Sequence, residues 1–319
     1  MASSLGSRLR QFLLATLLVL PAPALAESWT EGAPMAPARA FAAAAGEGDT
    51  LFVAGGAGLT GSATDFAAYD VVGDIWRPLP TMPVGRQNFG MAAGGDGGIY
   101  VSGGFSGSES VDPAQDFWRY DIDSAVWMQL PDMPAPRARH AMAAAGGKVF
   151  VVGGDGPNAA RVMVFDIASQ EWSDLGADLP APRTDLGLAA FDGGIYALGG
   201  RMPQGATARV DILDLRAASP RWRSGPSLPS PRAEAAVAAA GGYLHLAGGR
   251  ANDPMKSLVE HFVLESPAAG WRQALPLPLP RVGAAAGGAA GRFVVAGGSG
   301  GSGIFSFFTA SDAVNIYER

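Results

Sequence analysis

The chain has 319 residues, a formal charge of −6 at pH 7, no cysteine, and 48% hydrophobic against 16% charged residues. Without cysteine there is no disulfide, no thiolate metal site and no lipid-modified N-terminal cysteine, and the acidic balance argues against nucleic acid and anionic membrane surfaces as partners. Glycine (45) and proline (24) exceed a fifth of the residues, too many turn formers for a helical protein, in a chain too apolar for disorder.

The first stretch reads as an address. "MASSLGSRLR" carries Arg8 and Arg10, "QFLLATLLVL" is a short apolar run, and "APALA" ends in Ala24 and Ala26 before Glu27. A charged start, an apolar middle and an A-x-A end are the layout of a secretory signal peptide, too short and wrongly flanked for a membrane span. The expectation is a leader over residues 1–26, cleavage after Ala26, and an exported, periplasmic or secreted protein formed by residues 27–319 as one domain. Leu9 separates the two arginines, so the general secretory route fits better than twin-arginine export.

The rest of the chain repeats. Gly-Gly pairs close an apolar run at Gly55-Gly56, Gly103-Gly104, Gly153-Gly154, Gly199-Gly200, Gly248-Gly249 and Gly297-Gly298, in steps of 48, 50, 46, 49 and 49 residues. Sixteen residues before five of these pairs stands an arginine: Arg39, Arg137, Arg183, Arg232 and Arg281. Arg86 stands seventeen before its pair. Ten residues before those arginines come Trp29, Trp76, Trp127, Trp222 and Trp271, with Trp172 eleven before. Each unit predicts four short strands: an Ala/Gly-rich run after the arginine, a strand ending in Gly-Gly, one ending in Tyr/Phe/Leu-Asp such as "WRYDI", and one opening at Trp. "FAAAAG" or "AVAAAGG" alone would favour helix; the glycine pairs and fixed period override that preference.

A repeat near 50 residues with register-locked Gly-Gly, Arg and Trp resembles the kelch family, over roughly residues 28–319. That resemblance implies an all-β, six-bladed β-propeller with four antiparallel strands per blade. The Ala-rich runs would then be the innermost strands, where six sheets converge and only small side chains fit, and the tryptophans would fill the outer wedges. The sixth unit ends without a Trp strand, while an orphan "SWTEG" precedes the first arginine. The N-terminal strand is therefore expected to complete the last blade and remove its free edge.

The same resemblance places the blade-to-blade links and the loops between second and third strands on one face. The repeat arginines are expected at that mouth, where two unit charges ~7 Å apart cost ~2 kcal/mol at an effective dielectric near 20. Solvent, carboxylates, backbone carbonyls or an anionic ligand must offset them. Blades three to five are the polar sector. Two residues past the repeat arginine stand Arg139 (followed by His140), Asp185 and Glu234, and directly after Gly-Gly stand Asp155, Arg201 and Arg250. The expected ligand-binding set is Arg137, Arg139, His140, Arg183, Arg201, Arg232 and Arg250, with Asp185 and Glu234 as candidate acid–base groups, because bidentate guanidiniums suit carboxylate or sulfate.

Kelch propellers include a galactose-oxidase-like group, but its copper site needs a cysteine, and His140, His245 and His261 fall at different strand positions, so a copper radical oxidase is excluded. Sialidase boxes, nucleophile elbows, phosphate loops and H-E-x-x-H pairs are absent, and neither metal nor cofactor is expected. The first functional reading is a binding module for a protein or an acidic glycan. The alternative is a sugar isomerase similar to sialic-acid mutarotases, with Asp185 or Glu234 as acid–base group and Arg183, Arg232 and Arg250 holding the acid. A long loop in the sixth unit, "SGGSGIFSFFTASDAV", offers Phe305, Phe307 and Phe308 either as a plug over the mouth or as an apolar contact for a partner.

Overall fold

In the computed structural model the described residues are 26–58, 61–107, 112–252, 256–301 and 308–319, and they contain strands and turns but no helix. Twenty-four strands form six four-stranded antiparallel sheets, and two further two-stranded hairpins stand at Ala57–Gly58/Gly61–Ser62 and Arg201–Met202/Gly205–Ala206. The sheets are the blades. Their innermost strands are Ala43–Glu47, Gly90–Ala93, Ala141–Ala145, Gly187–Phe191, Ala236–Ala240 and Ala285–Ala289, and each packs on the next, the sixth on the first. The approach is too close for side chains. A Cβ on Gly46 would lie 1.8 Å from the Gly288 carbonyl oxygen, and one on Gly288 would lie 2.1 Å from that of Ala239.

The ring is closed by the chain's leading segment. Ser28–Gly32 runs antiparallel to Val314–Glu318 with Trp29 opposite Tyr317, and forms the outer strand of the sixth blade. The strand anticipated from the orphan Trp interval therefore sits where its spacing placed it.

Two contacts repeat at every blade junction. On the outside, each repeat tryptophan donates its indole N–H to a carbonyl of the preceding blade or link: Trp76 to Ala33, Trp127 to Pro80, Trp172 to Pro131, Trp222 to Ala177, Trp271 to Pro226 and Trp29 to Leu275, at 2.8–3.1 Å. These indoles are framework, as their wedge-filling role predicts. Nearer the axis, the second glycine of each Gly-Gly pair donates its N–H to the carbonyl of the next blade's repeat arginine, from Gly56 to Arg86 (2.8 Å) round to Gly298 and Arg39 (3.0 Å). Both glycines of every pair have φ between 55° and 101°. A Cβ on the first would press on that same carbonyl, to 2.3 Å at Gly103 and Arg137. Gly-Gly is thus required twice over, by conformation and by space.

Candidate functional site

The six repeat arginines do not present their charges to the mouth. Arg39, Arg137, Arg183, Arg232 and Arg281 are 1–3% exposed and Arg86 is 8%. Most turn into their own blades. Arg183 donates to the carbonyls of Ala181, Ala197 and Gly199 and pairs with the fully buried Asp211 at 2.9 Å. Arg232 bonds the Gly248 and Glu260 carbonyls and the Ser230 hydroxyl, with its guanidinium over the Phe262 ring. Arg137 bonds the carbonyls of Pro136, Pro157 and Asn158. Burial lowers the pKa of all three, that of Arg232 to about 10. Of the arginines anticipated to bind a ligand, Arg137, Arg183 and Arg232 spend most of their donors on backbone carbonyls, Asp211 and Ser230, which offset the expected charge crowding.

The mouth is built one step later in the repeat. Two residues past the arginines stand Phe41, Asn88, Arg139, Asp185, Glu234 and Gly283, and all six adopt left-handed backbone with φ of 54–58°. Each donates its N–H to the carbonyl of its counterpart in the preceding blade. Asn88 bonds Phe41, Arg139 bonds Asn88, Asp185 bonds Arg139, Glu234 bonds Asp185, Gly283 bonds Glu234 and Phe41 bonds Gly283, at 2.7–3.2 Å. The six bonds form a closed belt around the propeller axis. Phe41, Asn88 and Gly283 were not singled out from sequence, although counting two past each arginine would have found them.

Below the belt lies a cavity of about 130 Å³ lined by the belt side chains with Phe89, His140, Leu186 and their neighbours, and two more of about 150 and 190 Å³ continue down the Ala- and Gly-rich inner strands. Each is well below the ~300–1,000 Å³ of an ordinary small-molecule pocket. A ligand at this mouth rests on the rim and sends at most a small group inward.

The charged side chains of blades three to five do come together. Arg139 grips Asp185 with two donors, Nε to Oδ1 at 2.9 Å and Nη2 to Oδ2, and reaches Asp155 at 3.4 Å. Thr184 Oγ1 adds a third bond to Asp185, at 2.9 Å. Arg250 donates to Glu234 Oε2 at 2.7 Å. Burial and the neighbouring Asp185 charge raise the pKa of Glu234, against the pull of Arg250, Arg201 and Arg139. Burial also opposes the charge on Arg139, but the bonds and charge of Asp185 outweigh it and raise its pKa. Among the described residues, no carboxylate lies within ion-pair distance of Arg201, and Glu234 Oε1 accepts no hydrogen bond.

His140 lines the cavity, 6% exposed, with Nε2 2.8 Å from the Ser102 hydroxyl, and burial lowers its pKa to about 3. His245 and His261 lie elsewhere, stacked between blades five and six, and no group of three or more His, Asp or Glu among the described residues could cage a metal ion. Phe305 and Phe307 fall outside the described residues; Phe308 is 71% exposed.

A family profile described as the KLHDC2/KLHL20/DRC7 Kelch-repeats domain matches residues 24–154, and a Kelch motif profile matches 136–177. The six-bladed propeller fits these kelch-repeat matches, which together span residues 24–177. Among curated proteins, this propeller is similar to Kelch-like protein terF of Aspergillus terreus, 30% identical over 46% of the chain and 35% of that protein. It is similar to the N-acetylneuraminate epimerase of Haemophilus influenzae, 32% identical over 34% and 29%, and to human Kelch-like protein 34, 28% identical over 46% and 23%. The matched region thus spans about a third or less of these relatives' own lengths.

Proposed function

We propose that this kelch propeller is an exported binding module that takes a carboxylate-bearing ligand, an acidic sugar or the acidic segment of a partner, on the mouth rim over blades three to five. The observation that carries this reading is Arg201: among the described residues it has no carboxylate within ion-pair distance, its charge bears on Glu234 across the belt, and the neighbouring Arg139 and Arg250 are already paired with Asp185 and Glu234. The small axial cavities favour capture at the rim over enclosure. The charged, apolar, A-x-A layout of residues 1–26 supports export.

The test is a thermal-shift and calorimetric comparison of glucuronate and N-acetylneuraminate with their methyl esters. The acids should bind and the esters should not. Arg201→Ala should weaken the acids at least about tenfold, the worth of one charge-assisted hydrogen bond of ~1.5–3 kcal/mol. Equal binding of acid and ester, or an unaffected Arg201→Ala variant, removes this reading.

A second reading, a sugar isomerase, is favoured by Glu234, a buried carboxyl with a raised pKa and a free oxygen, together with the partial likeness to N-acetylneuraminate epimerases. Burial raises the pKa of this carboxyl, the direction that suits a group passing a proton to a ring oxygen. NMR exchange between the anomers of N-acetylneuraminate should then be faster with the protein and return to background with Glu234→Gln. No acceleration by the unaltered protein leaves binding alone.

A further inference from the structure

The two mouth carboxylates are neighbours in the belt but are held differently. Asp185 has three donors on it, two from Arg139 and one from Thr184, and its side chain is 3% exposed. Three donors thus engage its two oxygens. Glu234 has one donor, Arg250 on Oε2, and keeps Oε1 for whatever arrives. The charges that bear on Glu234 are Asp185 and Arg201 from blade four, Arg139 from blade three and Arg250 from its own blade.

Among the described residues the sector's charges suggest the ligand's sign. Arg139, Arg201 and Arg250 face Asp155, Asp185 and Glu234, so with every acid ionised these six groups sum to zero. With one proton on Glu234 they carry a single positive charge, the complement of one carboxylate. An incoming carboxylate paired to Arg201 beside an ionised Glu234 would set a third anion next to two others in a poorly solvated mouth. Beside a protonated Glu234 the same approach yields a short O–H···O⁻ hydrogen bond from Oε1.

From this arrangement we infer that the mouth binds a monocarboxylate together with one proton, held between Glu234 Oε1 and the ligand, with Arg201 as counter-charge. This rests on the binding reading above and adds its proton linkage. The only covalent change is the O–H bond formed on Glu234 Oε1, its proton released by solvent or buffer acid. The raised pKa of Glu234 is in the direction the arrangement needs.

The test has two arms, both on the full propeller. Calorimetry with glucuronate or N-acetylneuraminate in buffers of different ionisation enthalpy should show proton uptake rising toward one per ligand as the pH rises through the Glu234 titration, with Kd weakening up to about tenfold per pH unit above it. In Glu234→Gln, an uncharged side chain of the same shape, uptake should vanish and the affinity should be flat with pH. Acid sugars that bind in an Arg201-dependent way without proton uptake, or a slope that survives Glu234→Gln, overturn the inference while leaving the binding reading intact. The second arm uses sodium formate as a minimal carboxylate and carboxyl-¹³C glutamate NMR. Formate should raise the Glu234 titration midpoint saturably, and Arg201→Ala should remove the effect. A midpoint unmoved by formate overturns the inference; a moved midpoint without sugar binding supports it and removes only the acid-sugar ligands.

Discussion

The chain's three histidines are all buried, and burial first of all keeps them neutral, lowering His140 and His261 to about 3 and His245 to about 4. Two of them form a row across the strands of blade five, on its face toward blade six. The Ala240 carbonyl is 3.2 Å from His245 Nε2, His245 Nδ1 is 3.0 Å from His261 Nε2, and His261 Nδ1 is 3.1 Å from the Leu275 carbonyl. Three gaps ask for three hydrogens and two neutral rings carry two, so the pair titrates as a unit. An unfolded chain protonates its histidines near pH 6.5. The folded state binds those protons only near pH 3–4, so stability is full above pH 6.5 and falls as the pH drops through that window. Glu234, with its pKa raised, acts in the opposite sense and stabilises the fold on the acid side. Three histidines outweigh one carboxyl, so the thermal midpoint should fall steadily between pH 6.5 and 4. His140→Gln should flatten the slope by up to ~1.4 kcal/mol per pH unit, one proton's worth. A midpoint constant over that range would contradict the neutral assignment. At this scale the sequence marked Arg139, Asp185, Glu234 and Arg201 but misplaced the guanidiniums of Arg137, Arg183 and Arg232. Spacing reveals register; the direction of a long side chain depends on which carbonyls happen to lie beside it.

Single elements were legible to the extent that a repeat averages out local conflict. "AVAAAGG" prefers helix on its own, yet Ala236–Ala240 is a strand because Gly241 and Gly242 turn it back at φ of 55° and 83° and its neighbours leave room only for small residues. The same reasoning recovered the N-terminal strand from a ten-residue interval. It did not recover the hairpins at Ala57–Gly58 and Arg201–Met202, which among the described residues stand in blades one and four. The second is tied to the next blade by Asn252, whose side chain accepts the Ala206 N–H at 2.6 Å, and this hairpin carries Arg201 above the belt. The belt's positions were countable, two past each repeat arginine, but its bonding was not written in the side chains. It is made of backbone N–H and carbonyl groups, which every residue supplies, and its six positions hold six different side chains.

Closure is a property of the whole ring, and it concentrates on one short strand. Ser28–Gly32 contributes five paired residues, the indole of Trp29 on the Leu275 carbonyl, and aromatic contacts of Trp29 with His261, Phe293 and Tyr317. Just before it, Glu27 accepts the Leu275 N–H and pairs with Arg272 at 2.7 Å. Just after it, Ala33 receives the Trp76 indole of blade one and donates to Asp74. The strand therefore joins blade five, blade six and blade one, and its loss opens an edge on Val314–Glu318 as well as two junctions. Trp29→Ala alone should cost about 3–5 kcal/mol, as for a large aromatic removed from a packed site, which lowers the melting midpoint of a domain of this size by about 10 °C. Deleting Glu27–Ala33 should cost more than that. Because the gap it leaves is a strand-shaped slot, the isolated Glu27–Ala33 peptide should restore the midpoint in a concentration-dependent way. A truncated protein that melts where the full ring does would show that the other five blades hold themselves together without closure. A truncation that is destabilised but indifferent to the peptide would show that the covalent link, and not the strand pairing, is what closes the ring.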